Sequence, residues 1–531
     1  MTGITGDDST TGDGSTPGAM TAHEPVAAAR TLVSAEDLDP ALIGEVASGR
    51  AVQIGPELRS RVQQRCVAAR EVLSRGAPVY GVNTGMGALA GVRLTEPQQL
   101  SHQRNLLLAR ATGGPPWLDA GDARALLAVR LRTFLSGDAG VSGELCQRLV
   151  DFLDAGIVPA VPRTGAGSAG EIIPLAHAFG PLAGIGRVLG PEAQNSLEAQ
   201  HSPETQHSPE VHTRPARDAL RESGLGEFTL GPKEGIALLA GVPGATALCV
   251  RRHAEAVALE GRMEAAAALS ITAAGASRDP YLDACARGDE ILGQVLRRLR
   301  HVIGDVTERS AIQAPISFRV AGPVLTHLVR CADGLAAAIA RALTGVTDSP
   351  AFLDGRFVGT AGFHGLDLSA HCAQLTAALA HACEVSAARI HRLLDPRVTG
   401  LPAQLATVPG PDTGLVTVHK RAVGEIHAMR RLATPAAIGL IETSGGQEDV
   451  QSFAWEAAEA LRQSLRHTAA VAACELLTAY QAIALSGRTA PPGCRALLDR
   501  LAGIVGPIDA DRPFGEDIER IRRAGWPADP G

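Results

Sequence analysis

The glycine-rich turn Thr164-Gly-Ala-Gly-Ser-Ala-Gly-Glu171 runs directly into the apolar segment Ile172-Ile-Pro-Leu-Ala-His177. Gly165, Gly167 and Gly170 spell G-x-G-x-x-G, a spacing that cradles a dinucleotide pyrophosphate when it sits inside a βαβ unit. That chemistry needs a strand ahead of the turn. Pro159 and Pro162 stand where the strand would be, so the nucleotide reading is rejected. What the turn does offer is a set of backbone N–H groups at the start of a helix, able to hold a carboxylate or a developing oxyanion. A second chemical candidate is Tyr80, in Pro78-Val-Tyr-Gly-Val-Asn-Thr-Gly-Met-Gly87. Three glycines there demand a tight, irregular backbone and place the phenol on a loop. Such a tyrosine is either a packed structural residue or, beside a cation that lowers its pKa, a base.

The elements that must position these loops are helical. Residues 31–75 show helical periodicity broken at Gly49 and Pro56. Leu325, Leu328, Ala332, Leu335, Ile339 and Leu343 recur at spacings of three and four, as do Leu368, Cys372, Leu375, Leu379 and Ala382. Gln447 to Ser486 contains neither Gly nor Pro, which predicts one helix of up to about 60 Å. Antiparallel packing of such helices makes a long bundle. The chain divides into a polar tail (1–30), expected to be disordered, an N-terminal α/loop domain (31–230) and a helix bundle (231–531). Within the second part, residues 190–216 form a low-complexity insertion in which Gln-His-Ser-Pro-Glu occurs twice.

The 531 residues carry a net charge of −7, which argues against nucleic-acid and membrane-surface partners. No apolar run of about 18 residues is apparent, so no membrane span is expected. Nine cysteines without C-x-x-C or zinc spacing indicate a reducing cytoplasm and no metal site.

Five separated segments, in order, resemble the aromatic amino acid lyases (histidine and phenylalanine ammonia-lyases), over residues 35 to 520. The family's Ala-Ser-Gly-Asp, followed by Pro-Leu-Ala-His, is matched by Ser168-Ala169-Gly170-Glu171 before Pro174-Leu-Ala-His177. Tyr80 to Gly87 matches the family's Tyr-Gly-x-Asn-Thr-Gly-x-Gly loop, and Arg110 falls where an active-site histidine stands. Lys233-Glu-Gly matches with Ala240 in place of an asparagine; Arg278-Asp-Pro-Tyr281 matches with Ala284 in place of the carboxylate-binding arginine. Ala361-Gly-Phe-His-Gly365 and Thr443-Ser-Gly-Gly-Gln-Glu-Asp449 follow the pattern as well.

The resemblance implies a mostly α fold, an ammonia-lyase-like bundle with a smaller N-terminal α/loop domain, assembled as a homotetramer whose active sites are shared between subunits. It implies Tyr80, Tyr281 and Glu448 as catalytic residues, and Asn83, Arg110, Arg278, Phe363 and Gln447 as substrate contacts. Ser168, Ala169 and Gly170 occupy the positions of the triad that cyclises to a methylidene-imidazolone in the family. That group forms by loss of a serine hydroxyl, and Ala169 has none. The expectation is therefore an enzyme without a cofactor, using Tyr/Glu acid–base chemistry for elimination, conjugate addition or cyclisation on a small anionic or carbonyl-bearing substrate. Two alternatives stay open: an inactive relative that binds a ligand, and an ammonia-lyase with a triad shifted to Gly167-Ser168-Ala169.

Overall fold

The structure, a computed structural model, describes residues 28–167, 169–191, 194, 213–305, 312–439, 441–487 and 489–526. The expected tail lies almost wholly outside these residues, as do most of the 190–216 insertion and Ser168. The insertion leaves and re-enters through adjacent strands: Arg187–Leu189 pairs antiparallel with Thr213–Pro215, Val188 opposite Arg214.

Helices dominate, as the periodicity requires. Five form the bundle: Pro243–Ala273, Ala321–Thr344, Leu366–Leu393, Val416–Leu432 and Ala454–Ser486. The last packs against the first, third and fourth of these, so it is the bundle's central element. Leu325, Leu328, Leu335 and Ile339 are buried, as are Leu368, Cys372, Leu375 and Leu379; both stripes face the core. Core residues on either side of position 230, such as Leu126 and Leu248, belong to one continuous hydrophobic cluster.

The central helix begins seven residues later than its Gly/Pro-free run predicts. Phe453 is left-handed (φ 50°), and residues ahead of it are held by tertiary bonds: Gln451 Nε2 donates to the Ile441 carbonyl at 2.9 Å and Ser452 Oγ to that of His364. The helix spans 33 residues, about 50 Å, and stops at the left-handed Gly487.

Two buried polar layers fix the helices against one another. Glu475 accepts from Ser270 Oγ at 2.7 Å and pairs with Arg389 (Nη2–Oε2 2.9 Å), joining three helices. Asp122, fully buried near the start of the Ala120–Leu135 helix, meets Arg251 at 2.9 Å, Arg252, and Arg163 at 3.7 Å. Arg163 leads straight into the 164–171 turn, so this layer anchors the turn's stem.

The expectation that no segment could span a membrane needs correction. Glu234–Ala273, Ala321–Thr344 and Ala454–Ser486 are long and apolar enough by length and composition. For the first and third the reason is an alanine-rich makeup on nearly all faces, required of helices surrounded by others. The most apolar windows of the first and third are 89% and 78% buried in the fold, whereas that of the second is 44% buried.

All nine cysteines are free thiols, eight buried and only Cys285 exposed. A thiol reagent is expected to titrate one group quickly in the native protein and nine after denaturation. More than one fast thiol without denaturant would show that the bundle opens more readily than its packing implies.

Candidate functional site

A cavity of about 680 Å3 opens where the bundle meets the N-terminal loops. Tyr80, Ala169, Gly170, Phe363, Gln447 and Glu448 line it, brought together from four stretches of chain. The apolar remainder of the wall includes Met86, Ile236, Leu239 and Phe357.

The Tyr80 loop is positioned from behind. Gln103, fully buried on the Glu96–Arg110 helix, donates from Nε2 to the Gly81 carbonyl at 3.0 Å and accepts from Ile236 N–H at 3.1 Å. One amide thus locks the loop to the short Glu234–Leu239 helix. Both contacts are close enough to require glycine: a Cβ on Gly81 (φ 67°) would lie 2.2 Å from Ile236 Cδ1, and one on Gly235 2.3 Å from the Gln103 carbonyl oxygen. The Tyr80 hydroxyl accepts the Gly87 N–H at 2.9 Å, and the residue is 37% exposed and lines the cavity.

The 164–171 turn is held by three carboxylates. Ala166 N–H donates to Glu456 Oε1 at 3.1 Å, and Ala169 N–H to Glu448 Oε2 at 3.0 Å. Glu448 also accepts from Thr443 Oγ1 at 3.1 Å. The expected use of these amides to hold an oxyanion is corrected at both positions, because acids of the same chain already occupy them. Glu171 turns away and accepts from Gly244 and Ala245 N–H, at 2.7 and 2.5 Å, at the N-terminus of the Pro243–Ala273 helix.

Burial pushes the Glu171 carboxyl up to about 8, outweighing its two amide donors and Arg130. A carboxyl raised in the folded state contributes stability that is full below its unfolded pKa and lost as pH rises through the folded one. Thermal stability is therefore expected to fall between about pH 4.5 and 8, and to fall less steeply over that window in Glu171→Gln. Parallel profiles for the two proteins would rule out this carboxyl as the source.

Arg110 lies behind the wall, its Nη2 3.7 Å from Met86 Sδ, and is without a carboxylate partner among the described residues. Burial lowers its pKa, while Tyr80 and Glu448 act to raise it, so the guanidinium shares the field of both.

Besides Arg110, three expected site residues are not on this cavity. Tyr281 is fully buried and donates to the Phe318 carbonyl at 2.5 Å; burial drives its pKa well above the usual phenol value. With its hydroxyl spent in the core, it cannot act as the partner proton donor. Arg278 gives Nη1 to the carbonyls of Ile271 (3.2 Å) and Ala276 (2.6 Å), capping the end of a long helix instead of meeting a substrate. Asn83 accepts from Val79 N–H and donates to the Ala77 carbonyl, both at 2.7 Å; it shapes the tyrosine loop from within.

The sequence reading gave no role to Gln103, Glu171 or Glu456. Glu171 stood inside the turn motif and was legible as an acid entering a helix. Gln103 and Glu456 carry no local signal, since their partners lie 133 and 290 residues away.

The triad positions do not fit the methylidene-imidazolone in the family's register: Ala169 offers a methyl group with no leaving group, and Glu448 holds its N–H.

The family model of the aromatic amino acid lyases matches residues 38–502. Histidine ammonia-lyase of Symbiobacterium thermophilum is 30% identical over 494 residues, covering 91% of this chain and 94% of that protein. Histidine ammonia-lyase of Streptomyces avermitilis is 32% identical, covering 87% and 90%. In fold, the chain is similar to the ergothioneine-degrading enzyme ergothionase of Treponema denticola, with a TM-score of 0.84, 24% identity and coverage of 93% and 98%. These relatives overturn the expectation of an enzyme set apart from the ammonia-lyases, working by tyrosine/glutamate chemistry alone: the similarity to ammonia-lyases runs through nearly the whole chain, and nothing in it supports that separation. The mostly helical architecture and the order of the site segments agree with the family match, and the chain belongs to the aromatic amino acid lyase family.

Proposed function

We propose that this chain is an amino acid lyase of the ammonia-lyase type, removing an amine from the α-carbon of a small substrate and a proton from the neighbouring carbon. The observation that carries the reading is the convergence of Tyr80, Gln447 and Glu448 on the cavity beside Ala169 and Gly170. Tyr80, on the loop anchored by Gln103, is the base that takes the carbon-bound proton. The amine departs from its ammonium form, the C–N bonding pair going to nitrogen while the C–H pair becomes the double bond; Glu448 accepts a hydrogen bond from that ammonium, and the Gln447 amide orients the substrate carboxylate. Ile236, Leu239 and Phe363 surround the side chain and exclude water from the developing double bond.

The assembly we favour is a homotetramer with shared active sites, in the cytoplasm. Its support is physical: Ile316, Leu366, Ile438 and Ile441 are exposed, and the apolar window of the Ala321–Thr344 helix is less than half covered by the chain's own fold. The free thiols suit a reducing compartment.

The test is a panel of amino acids and N-methylated amino acids incubated with the purified chain, scored by amine release together with the near-ultraviolet absorbance of an unsaturated acid. At least one member should yield both products in equal amounts. Absence of amine release across the panel, from protein shown to be folded and assembled, would overturn the proposal.

A further inference from the structure

A second crevice, of about 320 Å3, lies where the Val416–Leu432, Ala454–Ser486 and Phe514–Arg523 helices meet. It shares no lining residue with the cavity above. Its charged lining sets four guanidinium groups, Arg421, Arg462, Arg466 and Arg522, against two carboxylates, Glu425 and Glu519. Both carboxylates are already engaged. Arg421 bonds Glu425 at 2.8 Å and Glu519 at 3.1 Å, Arg522 bonds Glu519 at 2.7 Å, and His467 Nδ1 lies 2.6 Å from Glu425 Oε2. Arg462 is held from behind by Glu459 at 2.7 Å, and Glu459 is shared with Arg163 at 3.4 Å.

Arg466 is left over. It lies one helical turn from Arg462 on the same face, and it makes no hydrogen bond or ion pair with any described residue. Partial burial lowers its pKa, and Arg462 and Arg522 lower it further by repulsion, against the opposing charge of Glu459. Crowding a partly desolvated cation among like charges is unfavourable unless an anion is bound there.

We propose that this crevice is a binding site for a phosphate-class oxyanion, with Arg466 as its principal ligand. The lining's excess of two positive charges suits a multiply charged group, and planar guanidinium forks suit tetrahedral oxygens better than a single ammonium would. The volume admits inorganic phosphate or the phosphate end of a small metabolite.

The probes are inorganic phosphate and ribose 5-phosphate, each titrated into the full chain at constant ionic strength set with chloride, with the thermal midpoint as readout. The wild-type midpoint should rise saturably. Arg466→Gln should weaken apparent affinity roughly tenfold or more, with Arg466→Lys between the two. Arg466 is exposed enough for both variants to fold. A tighter response to the monoester assigns the site to a metabolite, and equal responses assign it to inorganic phosphate. No saturable shift in the wild type, or an undiminished one in Arg466→Gln, would overturn the proposal. So would a change of oligomeric state in Arg466→Gln by sedimentation, which would show that a carboxylate of a second copy meets this cation.

Discussion

Replacing Tyr80 by phenylalanine is expected to reduce turnover by roughly 10²- to 10⁴-fold while leaving the thermal midpoint where it is. The two halves of that expectation have separate physical grounds. Turnover should fall because the phenol is the only group of its loop with a titratable oxygen on the cavity wall, opposite Gln447 and Glu448. Stability should hold because that oxygen makes a single hydrogen bond, to the Gly87 N–H of its own exposed loop, and water can replace it. The loop itself is fixed by Gln103, Asn83 and the close seating of Gly81, none of which the substitution touches. Steady-state kinetics on a substrate found by the amine-release screen, with a thermal melt alongside, checks both. Turnover within tenfold of wild type would remove Tyr80 from the role of base.

The second large effect is on stability. Lys233 and Asp348 are each 1% exposed in their side chains and form an ion pair at 2.7 Å. Burial pulls the lysine's pKa down and pushes the aspartate's up, and each charge opposes the shift of the other. Asp348 lies just before Ser349 and Pro350, which form cavity wall, and its carbonyl accepts from Thr360 Oγ1 at 2.6 Å, so the pair ties that wall to the start of the Glu234–Leu239 helix. Lys233→Met keeps most of the side-chain volume but leaves the carboxylate buried without its ion-pair partner, opposed only by the field of Arg130, a change that costs about 3–5 kcal/mol. Lys233 already has a left-handed backbone (φ 75°), and methionine meets the same backbone penalty, so the comparison isolates the charge. Urea denaturation should show the loss, and Lys233→Met combined with Asp348→Leu should recover most of it. A single-variant loss below about 1 kcal/mol would mean that the aspartate finds water or a proton at little cost.

These two residues show different degrees of legibility. Tyr80 could be found from its glycine-bounded loop and its match to a family motif. Lys233 could be seen as part of a motif, but its partner is 115 residues away and no local pattern points to Asp348. The same contrast holds among the helices. The stripe from Leu325 to Ile339 predicts its own buried face, because period and burial are properties of one element. The start of the central helix at Ala454 was hidden, because bonds from Gln451 and Ser452 to distant carbonyls override local propensity.

By itself the sequence determined the family, the mostly helical architecture, the loops that meet at the site, and the absence of a hydroxyl at position 169. These depend on residue identity, spacing and periodicity, which are local or collinear. Tertiary structure alone decided which polar groups remain free to act. It assigned Tyr281, Arg278 and Asn83 to structural hydrogen bonds and turned three carboxylates onto the central turn and its neighbouring helix. It also left Arg466 without a hydrogen-bond or ion-pair partner among the described residues. Whether a donor or charge is available depends on the other groups brought within about 3 Å of it, and folding draws those groups from hundreds of residues away.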